Sequence, residues 1–227
     1  MNYLNQFAFG IYPYIALAIF LLGSLIRFDR EQYSWKSESS QTLHRGSLRL
    51  GNILFHVGIL GLFFGHAVGL LTPYAFWTAI GISSADKQLF AIVAGGIMGT
   101  MCLVGILILL HRRFTNDRLR AVTTFKDKVV LLWILATLLV GLSTIFTSSG
   151  HMDGSLMVQF MNWAQRIATF RGDAASYIAD VPALFKLHLF MGMSLFVIFP
   201  FTRLVHVWSG FGTVAYLGRA YQLVRPR

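Results

Sequence analysis

The sequence predicts an all-α integral membrane protein, a bundle of five transmembrane helices. Three observations carry that prediction. Hydrophobic residues make up 56 % of the 227 positions and charged residues only 12 %, about half the charged share of a soluble domain. Five apolar runs approach the roughly 20 residues needed to cross a hydrocarbon core about 30 Å thick. The basic residues behind the formal charge of +10 fall between those runs rather than along one amphipathic face. That placement argues for membrane loops and against a nucleic-acid surface.

The runs cover about residues 4–26, 50–71, 88–110, 128–146 and 182–208, leaving 209–227 as a tail of one membrane domain, 1–227. Pro13 and Pro200 lie inside runs, where a missing N–H predicts kinks, and Pro182 suits a first helical turn. Lys186 and Arg203 charge the ends of the fifth run, within snorkelling reach of an interface. No Asp or Glu falls inside the five runs as drawn. The first 26 residues carry no charged side chain, so a cleavable signal with a basic start is not expected.

Basic residues set the orientation. Arg27, Arg30, Lys36, Arg45 and Arg49 follow the first run, and Arg112, Arg113, Arg118, Arg120, Lys126 and Lys128 follow the third. With Arg203, Arg219, Arg225 and Arg227 they place 15 of 19 basic residues on one side. Lys87, Arg166, Arg171 and Lys186 fall on the other. The positive-inside rule then puts the N-terminus outside and the C-terminus in the cytoplasm. The outer connection, about 147–181, mixes Leu156, Phe160, Met161, Trp163 and Ile167 with polar residues. A short surface helix over 155–170 and a plain capping loop both fit this pattern.

Four of the seven histidines lie inside runs: His56 and His66 in the second, His188 and His206 in the fifth. Polar side chains in a bilayer face the bundle interior and find partners there. The two runs are antiparallel, which pairs His66 with His188 near the outer side and His56 with His206 near the cytoplasmic side. A low-spin electron-transfer haem needs both axial positions filled, and neutral imidazole fills them well. Two bis-histidine b-type haems, one in each half of the membrane, fit this arrangement; core histidines joined by hydrogen bonds are the plainer alternative.

Helical rise separates the ligands by roughly 15 Å on the second run and roughly 27 Å on the fifth, which puts the two irons about 21 Å apart. His188 and His206 are five whole turns apart and share a face. His66 is rotated about 80° from His56, so the second run is expected to tilt or unwind locally. Gly58, Gly61, Gly65 and Gly69, with Gly95, Gly96 and Gly99, form small-residue strips that admit a neighbouring helix or a flat ring. Cys102 alone can form no disulfide within the chain and no all-cysteine cluster. His44, His111 and His151 lie in connections and read as solvent or interface side chains.

The segments NILFHVGILGLFFGH, LLTP, HMDGS, NWAQ, LFKLHLFMGMSLFVIFPFTRLVHVWS and YQLVRPR together resemble the gamma, or cytochrome b, subunit of membrane-bound respiratory nitrate reductases. The resemblance runs along almost the whole chain. It implies a bacterial cytoplasmic (inner) membrane protein, serving anaerobic respiration and nitrate assimilation, that oxidises quinol near the outer face and releases protons there. Electrons would pass through a distal haem on His66 and His188, then a proximal haem on His56 and His206. An iron–sulfur beta subunit and a molybdenum-containing alpha subunit would receive them in the cytoplasm.

The family's quinol-site lysine falls on Lys87, with Gly65 and His66 as the adjoining wall. A cation at that position can donate to a quinone carbonyl oxygen; an interfacial lysine that snorkels is the plainer reading. Lys186 and Arg203 can pair with haem propionates or anchor at the interface. The resemblance implies half of an enzyme, a quinol-oxidising subunit with no nitrate-reducing site in this chain. Cytochrome b subunits of a hydrogenase or formate dehydrogenase share the histidine pattern. A haem-free transporter or proton channel and a passive anchor are the readings from other classes.

Overall fold

Apolar length becomes helix in all five runs. The computed structural model describes residues 2–31, 47–150 and 152–210. The loop positions Lys36, His44 and Arg45, the single residue His151, and the tail with Arg219, Arg225 and Arg227 lie outside the described residues. Among the described residues five helices are long and apolar enough to cross a membrane: Tyr3–Arg30, Leu48–Leu71, Ser84–Thr115, Phe125–Ser149 and Ala183–Phe201. Their outward faces expose Leu21, Leu22, Phe63, Phe90, Ile97 and Phe146. Such a surface suits hydrocarbon and not water.

The first span consists of α1 (Tyr3–Gln6), a π turn (Phe7–Ile11) and α2 (Tyr12–Arg30). Pro13 is the cause of the irregular turn, because it offers no N–H to the carbonyl of Phe9 four residues earlier. Helices α3 (Leu48–Leu71), α5 (Ser84–Thr115) and α7 (Phe125–Ser149) are unbroken, and short helices α4 (Tyr74–Ala79) and α6 (Asp117–Val122) occupy the connections. Both α5 and α7 begin with capping boxes, Ser83 with Asp86 and Thr124 with Asp127. The helices therefore start earlier than their apolar runs. With Asp29 in the last turn of α2, three carboxylates sit at helix ends, outside the apolar runs.

The fifth span also departs from expectation. Helix α9 (Ala183–Ile198) stops short and is followed by two 3-10 turns, Phe199–Phe201 and Arg203–Val205. Pro200 removes a donor and cannot continue the α ladder. Gly23 makes room for its ring, since a Cβ there would lie 2.8 Å from Pro200 Cγ. Arg27 Nη1 then donates to the carbonyls of Pro200 and Thr202 at 2.7 and 2.8 Å. One side chain thus satisfies acceptors that the broken helix leaves over.

Helix α3 packs most extensively on α5. The contact is backbone to backbone: a Cβ on Gly58 would lie 2.5 Å from Cys102 N and 2.7 Å from Met98 O. Gly105 meets the backbone of Phe55 in the same way. Small residues at both points allow the close approach that membrane helices use in place of a hydrophobic drive. Around this contact lie buried Cys102, Ile106, Val130, Ile134 and Leu138.

The long connection forms helix α8 (Ser155–Ala168), so a helix and not a plain capping loop is observed. Its N-cap, Gly154, has φ +79°, and a Cβ there would strike Ser84 at 2.5 Å, so glycine is required on both counts. α8 does not float on the bundle. Leu156, Trp163 and Ile167 are buried with Phe9, Ile178 and Phe185. Within the NWAQ segment, Gln165 Nε2 donates to the carbonyls of Leu70 and Thr72, both at 3.1 Å. That contact caps the end of α3.

Candidate functional site

Four imidazoles from two antiparallel spans meet as two pairs. The ring centres of His56 and His206 are 6.3 Å apart, and those of His66 and His188 are 6.0 Å apart. A metal–imidazole bond is about 2.0–2.1 Å and a ring nitrogen lies roughly 1.1 Å from its ring centre, so two axial imidazoles on one ion sit about 6.3 Å apart. Both pairs fit that spacing. Direct hydrogen bonding fits less well. Two ring nitrogens turned toward each other would still be about 4 Å apart, beyond the 2.7–3.2 Å range.

All four rings are oriented by a backbone carbonyl. His56 Nδ1 faces Asn52 O at 2.8 Å and His66 Nδ1 faces Leu62 O at 2.7 Å, each one turn back along α3. His188 Nδ1 faces Thr137 O of α7 at 3.2 Å, and His206 Nδ1 faces Arg203 O at 2.5 Å. A carbonyl only accepts, so Nδ1 carries the proton in every ring. Each Nε2 then presents a lone pair, the arrangement that a metal-binding histidine adopts. Among the described residues no three His, Cys, Asp or Glu side chains gather as they do around a free ion. Pairs suit a centre whose equatorial ligands come from a macrocycle.

The angular difficulty on α3 has a structural answer. α3 remains regular from Leu48 to Leu71, so local unwinding does not occur. The five-turn relation between His188 and His206 is what fails, because the chain between them leaves the α-helix after Ile198. His206 therefore takes its own azimuth, independent of His188. The signal for this break was Pro200, whose effect reaches further than a kink.

Gly141 went unnoticed in the sequence. A Cβ there would lie 2.6 Å from His188 Cε1 and 3.3 Å from its Nε2. The glycine on α7 leaves the space that the imidazole occupies. Its neighbours are ordinary apolar residues, so only the fold reveals the ring facing it. Of the small-residue strips, Gly58 and Gly61 are closed by α5, and Gly99 is closed by Leu142 of α7. Gly65, Gly69 and Gly95 would meet nothing within 4 Å of an added Cβ. Open glycine next to His66 is the surface that a flat ring needs.

Lys87 is not a snorkelling side chain. It is 5 % exposed, near the start of α5. Its Nζ donates to Gly69 O at 2.5 Å and to Met161 Sδ at 2.8 Å, and it lies 4.7 Å from the centre of the Trp77 ring. Gly69 is one turn beyond Gly65, so the ammonium sits at the same end of α3 as Gly65 and His66. Lys186 Nζ donates to Ala179 O at 2.6 Å. Arg203 Nε donates to Asp127 Oδ1 at 2.6 Å, a partner that the sequence did not suggest.

A family model described as nitrate reductase gamma subunit matches residues 5–227. The chain is 48 % identical to the respiratory nitrate reductase 1 gamma chain of Escherichia coli (strain K12) over the full length of both. It is 47 % identical to the respiratory nitrate reductase 2 gamma chain of the same strain, over 100 % of this chain and 99 % of that one. It is 36 % identical to the nitrate reductase gamma chain of Bacillus subtilis (strain 168), over 98 % of this chain and 99 % of that one.

Proposed function

The chain belongs to the nitrate reductase gamma subunit family, and from that premise we propose that it is the membrane cytochrome b subunit of a nitrate reductase complex. It oxidises quinol near the outer face and passes the electrons through two haem b groups to a cytoplasmic iron–sulfur beta subunit and a molybdenum-containing alpha subunit. Protons released outside add to the proton-motive force. The whole of 1–227 is one domain of the bacterial cytoplasmic membrane, with its N-terminus outside and 209–227 as a cytoplasmic tail.

The observation that carries this reading is the spacing of the two imidazole pairs, 6.3 and 6.0 Å between ring centres. His66 and His188 hold the distal haem, and His56 and His206 the proximal one. Bound haem supplies one-electron transfer. The protein's own part is to fix the four tautomers through backbone carbonyls and to keep a glycine surface beside His66. Lys87, with Gly65 and His66, forms the quinol site. Its ammonium has three N–H donors, two of which meet Gly69 O and Met161 Sδ; the third can be given to a quinone oxygen.

The test is a spectrum of the complex purified from membranes. A b-type α band with two haems per gamma chain is expected, reduced by added quinol and reoxidised by nitrate. A complex that contains this chain and no haem removes the reading.

A further inference from the structure

The two imidazoles of the His56–His206 pair are held by unlike devices. His56 lies within regular helix α3, and its acceptor, Asn52 O, belongs to the same helical ladder. His206 follows two 3-10 turns, where no α ladder fixes the backbone. Its acceptor is the carbonyl of Arg203 at 2.5 Å. The position of that carbonyl depends on what holds Arg203.

Arg203 is held from the neighbouring helix α7. Its Nε donates to Asp127 Oδ1 at 2.6 Å, and the carboxylate is 4 % exposed. Asp127 is itself fixed. Its Oδ2 accepts from Thr124 N at 3.0 Å within the capping box of α7, and Arg113 Nη1 approaches it at 3.8 Å. A buried carboxylate pinned at both oxygens gives the Arg203 Nε one geometry, and its removal takes that acceptor away. Thr202, next in the turn, is held through its carbonyl by Arg27 at 2.8 Å. The segment before His206 is thus clamped by side chains from α2 and α7.

We propose that Asp127 is a positioning residue for His206, acting through the Arg203 turn whose carbonyl fixes the ring's orientation and tautomer. The proposal rests on the reading of His56 and His206 as axial haem ligands. Outer partners of a ligating histidine tune the centre that it binds. Loss of this carboxylate acts on one haem of the two. It relaxes the His206 ring, and by removing a negative charge it favours the reduced form, so the potential rises.

The test compares Asp127→Asn, Asp127→Glu and Arg203→Lys in the complex purified with its partner subunits. The readouts are the low-spin EPR signal and the redox titration of each haem. The signal belonging to the His56–His206 pair is the one lost in His206→Ala. Asp127→Asn is expected to move that signal and raise that potential, with the other haem unchanged, and Asp127→Glu to restore both. Arg203→Lys, which keeps the charge but loses the Nε contact, is expected to move the EPR signal as well. Two unaltered haems in Asp127→Asn, or equal changes in both, overturn the proposal. If Asp127→Asn does not assemble, an unchanged EPR signal in Arg203→Lys overturns it. A wild-type complex without haem defeats the underlying cytochrome reading instead, so the two failures are distinguishable.

Discussion

Trp163 donates its indole Nε1–H to the carbonyl of Phe9 at 2.8 Å across 154 positions of sequence. That carbonyl is the one to which Pro13, four residues later, has no N–H to donate. Phe9 is buried, so no water replaces the indole. A proline in the first span and a tryptophan in α8 therefore form one structural unit.

Trp163→Phe keeps most of the apolar volume and removes only the donor. The Phe9 carbonyl is then buried and unsatisfied, which costs about 1–3 kcal/mol. The thermal unfolding midpoint of the purified protein is expected to fall. The segment around α8 is expected to show faster amide exchange than the rest of the bundle. An unchanged midpoint together with unchanged exchange would show that the Phe9 carbonyl has another partner.

The α3–α5 contact gives a second test. A methyl group at Gly58 would lie 2.5 Å from Cys102 N, and backbone cannot turn aside as a flexible side chain can. Gly58→Ala must push the helices apart, at a cost of about 1–3 kcal/mol, as overpacking usually does. Gly172→Ala is the control, since a Cβ there meets nothing within 4 Å, and its effect should stay within about 0.5 kcal/mol. Chemical denaturation in detergent measures both. Equal stability of the two variants would contradict the close approach.

Much of this was legible in the sequence, for physical reasons. A bilayer demands length and apolarity, so the five runs became helices. Antiparallel order alone decided that His56 would meet His206 and that His66 would meet His188. Other features depended on contacts between distant positions. Asp127 and Arg203 are 76 residues apart, and nothing local marks them as a pair. Pro200 was visible, but its reach was not, because the 3-10 turns after Ile198 depend on Arg27 reaching their carbonyls. α8 is buried against the π turn of the first span, α9 and the 3-10 turn Ala174–Ile178, contacts between distant positions that a local pattern does not contain.

Gly141 tests the His66–His188 pair. Alanine there would place a methyl 2.6 Å from His188 Cε1, and the ring must move by several tenths of an ångström or more. Its Nδ1 contact to Thr137 O, at 3.2 Å, is then the first to be lost. Haem content is expected to fall toward one per chain in Gly141→Ala, with the His66–His188 signal missing and the His56–His206 signal kept. Two intact haems in this variant would place the ligand space elsewhere.

Lys87 separates the proposed quinol site from the proposed haem ligands. Its ammonium touches Gly69 O and Met161 Sδ but none of the four imidazole contacts described above. Lys87→Ala is therefore expected to leave two dithionite-reducible haems. Loss of a charge-assisted hydrogen bond to the quinone costs about 1.5–3 kcal/mol, which lowers kcat/KM for quinol roughly ten- to a hundredfold. Nitrate reduction driven by an artificial donor that feeds the cytoplasmic subunits directly should remain normal. The two assays are measured on one preparation, so a defect in quinol use is read against an internal standard. Wild-type quinol kinetics in Lys87→Ala would move the site away from this end of α5 and leave Lys87 as a tie between α3, α5 and α8.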